Sequence, residues 1–327
     1  MGTVLLINRG IESGDGSEVT EINVSTILNG GMEEMFAHNG KISARQVRIL
    51  IILQMFNVGV LILPRICTQY VGRNGYILPI LGIILGILYL LCIYSLTSIF
   101  PEYTFVEILE SIMPKPIATI ILLIFVLKIL GDIGLELRMF GELISQIMLT
   151  KTPLAVIVLV MLLTVSYLAK SGIEALGRMG EILIYFIFIP LGIMLLIGLF
   201  NTDYREVMPF FQTNLKDVGF GTLAVSFMFV PLEFLLMING MMIKPKKMLK
   251  TGIVSIIIVG ILQAVIVLLA ICKIGSAETQ RQIWPGLILM QSINMSNSVV
   301  QKQEIIMMVV WVFSVFMYIC SGLCIAS

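Results

Sequence analysis

The sequence predicts an all-α integral membrane protein, a bundle of apolar helices. Three observations lead there. Hydrophobic residues make up 58% of the chain and charged residues 13%, against roughly 45–50% and about 25% in soluble domains. The mean hydropathy is +1.03. Eight apolar runs alternate with polar links, most of them close to the ~20 residues a membrane helix needs. The net charge of +1 and the lack of a basic tract with interleaved aromatics give no footprint for nucleic acid. Cys67, Cys92, Cys272, Cys320 and Cys324 form no CxxC pair, and four of them sit inside apolar runs, where cysteine acts as a small hydrophobe. No metal set and no cofactor is expected. The one histidine, His38, lies in the polar N-terminal stretch, and no nucleophile–base arrangement accompanies it. An enzyme is not expected.

Residues 1–40 are polar, and the apolar patch Val4–Ile7 is too short for a signal-peptide core. They are expected to form a disordered tail, with Met32 and Met35 as alternative starts. Lys41, Arg45 and Arg48 then flank the first apolar segment, Ile49–Pro64, and favour a cytoplasmic N-terminus. Asn57, Gly59 and Pro64 interrupt it. Glycine lets a backbone leave the helix or approach a ligand; it also permits close helix packing. The second segment, Asn74–Pro101, is free of charge. A loop carrying Glu102, Glu107, Glu110 and Lys115 follows.

The third segment, Ile117–Leu149, is longer than a bilayer requires. Its second half holds Lys128, Asp132, Glu136, Arg138 and Glu142. At 100° per residue these share one arc of about 160°, opposite Ile129, Ile133, Leu137 and Ile144. Two readings stand. One is a polar face lining a water-filled route. The other is a set of i,i+4 pairs, Lys128 with Asp132 and Arg138 with Glu142, on a helix emerging into solvent. Pairing suits Arg138 and Glu142, while for Lys128 and Asp132 both readings stay open. Lys151-Thr152-Pro153 opens the fourth segment, Leu154–Ala169. Lys170–Ile182 reads as a short surface helix, and Ile182–Phe200 as a fifth segment kinked at Pro190.

After the polar loop Asn201–Asp217 comes the sixth run, Val218–Ile243. Glu233 is its only charged residue and lies two positions after Pro231. A proline in a helix frees the carbonyl four residues back, here that of Phe227. In a bilayer that carbonyl must find protein, ion or water. An ionisable group at this depth is costly and marks a functional site. The structural alternative is a tolerated kink with a glutamate paired to a neighbouring helix. One interrupted segment in each half is the pattern of a transporter-type binding site. Lys244, Lys246, Lys247 and Lys250 place the next loop in the cytoplasm. The seventh segment is Ile253–Cys272. The connection Lys273–Gln303 contains an expected interfacial helix, Trp284–Met295, and Ile305–Ser327 is the eighth segment.

Four stretches carry a family resemblance: KISARQ (Lys41–Gln46), NVGVLILP (Asn57–Pro64), Thr152-Pro153, and GIEALGRMGEI (Gly172–Ile182). They resemble the B subunit of bacterial spore germinant receptors, the GerAB/GerKB family, within the amino acid–polyamine–organocation permease superfamily. The resemblance covers residues 41–327. It implies a LeuT-like bundle of ten helices in two inverted repeats, of which eight spanning helices are counted here, so domain 41–327 is expected to be C-terminally incomplete. It implies a ligand site between broken helices one and six. Asn57, Gly59, Val60 and Leu61 would line it on one side, and Phe229, Val230, Pro231 and Glu233 on the other. Lys128, Asp132 and Glu136 are the candidate polar face of the third segment. The implied role is recognition of a small nutrient, often an amino acid or sugar, in the inner membrane of the endospore. The implied partners are a membrane A subunit and a lipoprotein C subunit. An ion-coupled amino acid transporter and a truncated structural subunit are the alternatives.

Overall fold

The computed structural model describes residues 40–208, 213–293 and 303–326. Apart from Gly40, the expected tail over residues 1–40 lies outside them, as do Asn294, Met295 and Ser327. The described residues fold into helices: α1 (Ala44–Val60), α2 (Leu63–Val71), α3 (Ile77–Thr97), α4 (Phe105–Ile112), α5 (Lys115–Ile147), α6 (Leu154–Ala169), α7 (Gly172–Phe200), α8 (Leu215–Val225), α9 (Glu233–Met237), α10 (Met248–Ile274), α11 (Ser276–Arg281), α12 (Pro285–Ser292) and α13 (Gln303–Ala326). Among the described residues, six helical stretches are long and apolar enough to cross a membrane: Ile77–Thr97, Lys115–Ile147, Gly172–Phe200, Leu215–Met237, Pro245–Ile274 and Met307–Ala326. The other two expected segments correspond to α1 and α6, which are 17 and 16 residues long. The chain is a multi-pass membrane protein.

The bundle is built around α1. A helix apolar on all sides has to be enclosed by others. Leu50, Ile51, Leu53, Met55 and Phe56 have no exposed surface. α1 packs against α10, α13, α7 and the 3-10 stretch Ser226–Leu232. Its start is a capping box, in which the Ser43 hydroxyl accepts from the Gln46 N–H and the Gln46 side chain accepts from the Ser43 N–H. Just before it, Ile42 is clipped to the end of the sixth segment. The Ile42 N–H donates to the Met241 carbonyl at 2.9 Å, and the Ile243 N–H donates in return to the Ile42 carbonyl at 3.0 Å.

Three expectations change in the structure. Lys170–Ile182 does not form a separate surface helix: α7 is continuous from Gly172 to Phe200, with Pro190 inside it. Its first turns lie against α1, because Gly177 and Gly180 leave room for Gln46, Leu50 and Ile49. The link after α3 is not all loop. Thr104 caps α4 in a second capping box with Glu107, a Thr-x-x-Glu signal present in the sequence. The Thr104 backbone N–H and hydroxyl, at 2.7 and 2.9 Å, hold the Glu107 carboxyl below the usual carboxylate range. Finally, the helix at Trp284 spans Pro285–Ser292 and packs inward, with Leu287, Leu289 and Met290 buried.

Small residues let α3 and α10 come close. A Cβ on Gly252 would stand 2.6 Å from the Leu90 side chain, and one on Gly260 would stand 2.4 Å from Ile83. Gly260→Ala is therefore expected to destabilise the protein by about 1–3 kcal/mol through overpacking, read as a lowered midpoint of thermal unfolding in detergent. Gly134→Ala, where a Cβ meets nothing within 4 Å, is expected to leave the midpoint unchanged or raise it slightly.

Candidate functional site

Both interrupted segments break, and the first of them packs on the break in the second. α1 ends at Val60 and the chain resumes as α2 at Leu63, with Pro64 at its start, where proline is tolerated. The break lies at Leu61-Ile62. In the sixth segment, α8 gives way to a 3-10 stretch over Ser226–Leu232 before α9 starts at Glu233. The irregular stretch begins five residues ahead of Pro231. α1 packs directly on it.

The break in the first segment is satisfied by protein. The Leu61 carbonyl accepts the Gly286 N–H of α12 at 3.1 Å. A Cβ at Gly286 would fall 2.2 Å from the Val60 oxygen, so only glycine permits this approach. Gly59 serves a similar purpose on another side: its missing side chain makes room for Gln263 of α10, whose Nε2 would stand 2.6 Å from a Cβ there. Gln263 has no exposed surface, and its Nε2 donates to the Phe56 carbonyl at 3.4 Å. Sequence reading passes over Gln263 and Gly286. An amide inside the apolar run Ile253–Cys272 is the available signal for the first.

The eight expected lining residues are not gathered around one cavity. Val60 and Leu61 are buried in packing. Phe229 is seated over Gly82 and Gly86 of α3. Val230 is 37% exposed. Pro231 and Glu233 do line a cavity, together with Gln54 of α1, Asp132 of α5, Tyr318 of α13 and apolar neighbours. Its volume is about 40 Å³. A water needs some 10–15 Å³ on the same measure, so the cavity suits water and is too small for an amino acid.

The polar residues of α5 divide among three settings. Lys128 Nζ lies 2.9 Å from Asp132 Oδ2 and also pairs with Glu233 across the bundle. One ammonium thus serves two carboxylates, and Glu233 is at once beside a broken helix and paired to a neighbour. Arg138 pairs with Glu142 at 2.6 Å on the exposed side. Glu136 points inward. Asn57 Nδ2 donates to its Oε1 at 2.8 Å, and the Ser314 hydroxyl lies 3.1 Å from Asn57 Oδ1. Asn57 therefore braces α1 between α5 and α13. A second, larger cavity of about 680 Å³ lies between α5, α6, α7 and α13. Thr152 and Thr164 are the polar residues in its otherwise apolar wall. The roomy cavity lacks charge, and the charged cavity lacks room.

Removing the shared cation should cost more than removing either carboxylate. Lys128→Met is expected to lower thermal stability by about 1 kcal/mol or more, allowing for the partial exposure of these groups. Glu233→Gln or Asp132→Asn should cost less, because one pair survives. Combining Lys128→Met with both neutralised carboxylates should recover part of the loss. Thermal unfolding of the four variants in detergent checks the order. Gly286→Ala should also lower the midpoint, since the Cβ meets backbone that cannot rotate away.

The chain is 26% identical over 286 residues to spore germination protein YndE of Bacillus subtilis (strain 168), covering 86% of this chain and 78% of that one. It is 25% identical over 266 residues to spore germination protein A2 of the same organism, covering 80% and 72%. To spore germination protein KB, again of that organism, it is 22% identical over 262 residues, covering 79% and 69%. The permease-like family described as spore germination protein matches residues 41–327, nearly all of the bundle and both broken segments, and the chain belongs to that family.

Proposed function

We propose that this protein is the membrane B-type subunit of a spore nutrient germinant receptor, and that it binds a small nutrient, an amino acid, between its two broken segments. The observation that carries this reading is the packing of α1 on Ser226–Leu232, which brings the first interrupted segment against the break in the sixth. Half-helix ends at such a junction offer partial charges to an ammonium and a carboxylate. The surrounding bundle is read as LeuT-like, with the N-terminus in the cytoplasm and the protein in the inner membrane of the endospore. A membrane A subunit and a lipoprotein C subunit receive the signal.

The charged cavity of about 40 Å³ then belongs to a closed state. Ligand shifts the balance toward an open state only by its difference in affinity for the two. The shared Lys128 between Asp132 and Glu233 favours a second reading, ion-coupled amino acid transport. Concentrative uptake into reconstituted vesicles would support that reading, and binding without flux would oppose it.

Deleting the gene in the source organism is expected to abolish the spore response to one nutrient, and restoring it to bring the response back. Pro231→Ala should shift the half-maximal nutrient concentration by about tenfold, the effect of ~1.4 kcal/mol between two states. Gly59→Leu, which drives a side chain into Gln263, should abolish the response. Loss of spore refractility against single nutrients is the readout. Unchanged dose–response curves in both variants, at normal protein levels, would sink the assignment.

A further inference from the structure

We propose that Glu136 is a proton-binding site, and that its bound proton sets the direction of the hydrogen-bond chain from α5 through Asn57 of α1 to Ser314 of α13. The inference does not rest on the nutrient-receptor reading. Glu136 is 9% exposed, Asn57 3% and Ser314 0%. The Ser314 hydroxyl has one proton and two acceptors in reach. The Trp311 carbonyl lies at 2.7 Å, and the Asn57 amide at 3.1 Å. A helical serine commonly commits its proton to a carbonyl one turn back, and the shorter contact is that one.

With the Ser314 proton on Trp311, the Asn57 atom facing Ser314 has to be a donor. The oxygen and nitrogen of an asparagine amide exchange places on a half-turn without moving any other atom. Asn57 then donates its N–H to Ser314 Oγ and turns its oxygen toward Glu136, 2.8 Å away. An acceptor at that distance needs a donor, and a carboxyl donates only when protonated. Every member of the chain is satisfied when Glu136 carries a proton: Glu136 O–H to Asn57, Asn57 N–H to Ser314, and Ser314 O–H to Trp311. Without the proton the chain has to run the other way, and the Trp311 carbonyl loses its serine.

The charges around Glu136 agree. On its own helix are Lys128, already engaged by Asp132 and Glu233, and Asp132 itself. Tyr318 of α13 and Glu233 of α9 approach from packed elements, with Tyr89 of α3 near Glu233 and Lys128. From α1 come Asn57 and Gln54, which do not titrate. Among the described residues no cation pairs with Glu136. A carboxylate there would add a third negative charge to a cluster with one positive, at membrane depth. A buried group in that position takes a proton instead.

A water-sized cavity lies one helical turn away on the same face. Asp132 lies one turn before Glu136 and lines the water-sized cavity. Gln54, 5% exposed, also lines it, and its Nε2 has no hydrogen-bond partner among the described residues. A water there would accept from Gln54 Nε2 and donate to Asp132 or Glu233.

Infrared spectroscopy of the full chain in lipid nanodiscs at neutral pH tests the proposal. The expected result is a protonated-carboxyl C=O band that shifts when glutamate carboxyls carry carbon-13. The band should be lost in Glu136→Gln and retained in Asp132→Asn and Glu233→Gln. The glutamine in Glu136→Gln donates an N–H to Asn57 as the protonated acid does, so this variant should keep the wild-type unfolding midpoint. Absence of the band in the wild type, or its survival in Glu136→Gln, overturns the proposal. Should Glu136→Gln not accumulate, the labelled wild type and Glu233→Gln decide: a glutamate-shifted band present in both supports the site, and its absence from either overturns it.

Discussion

The bilayer offers no water to a backbone that leaves its helix, and this constraint shapes the protein. Two segments leave their helices, so other parts of the chain must come to them. α12 turns inward because the Leu61 carbonyl needs a donor, and Gly286 supplies it. Gln263 sits where Gly59 leaves space and reaches the Phe56 carbonyl. The Ile42 clip closes the outer end of the same arrangement by pairing with Met241 and Ile243. The second half of the chain thus completes the hydrogen bonding of the first. The glycines of the α3–α10 seam follow from the same need, because close approach makes enclosure of α1 possible.

Charge is handled with similar economy. A carboxylate at membrane depth requires a partner or a proton. Glu233 and Asp132 share Lys128. Glu136 instead hydrogen-bonds the neutral Asn57 amide. The exposed pair Arg138–Glu142 stands outside the cluster, where screening by solvent makes it worth little. One arc of a single helix therefore holds three electrostatic situations, which differ in burial: Glu136 is buried, while the Arg138–Glu142 pair is exposed. Spacing along α5 could identify the arc. It could not say that Glu136 turns toward Asn57 while Asp132, one turn earlier, faces a cavity with Pro231.

Most of the helices were legible in the sequence because membrane segments announce themselves by length and hydropathy. Leu154–Ala169 was read with the bounds it has in the structure. Both interruptions were also legible, from Gly59 with Pro64 and from Pro231. Their partners were not, because Gly286, Gln263 and Ser314 act through contacts that local pattern does not encode. The surface helix expected over Lys170–Ile182 failed for a related reason: Glu174 and Arg178 look like a solvated stretch, yet Gly177 and Gly180 open the opposite side to α1. The expected lining set was drawn from two short motifs, and packing sends its members in different directions. Phe229 goes to α3, Asn57 goes to α5 and α13, and Pro231 and Glu233 go to the charged cavity.

The Asn57 brace also has a history in time. Its partner on α5 lies 79 residues further along the chain, and its partner on α13 lies 257 residues further. Contacts across such distances form only after the intervening chain has been ordered. During synthesis α1 is made before α5 and α13, so Asn57 waits for both of its partners. It gains Glu136 when α5 arrives and Ser314 only when the last described helix is inserted. A helix made early among those described is thus one of the last to be finished, because its brace closes only with α13.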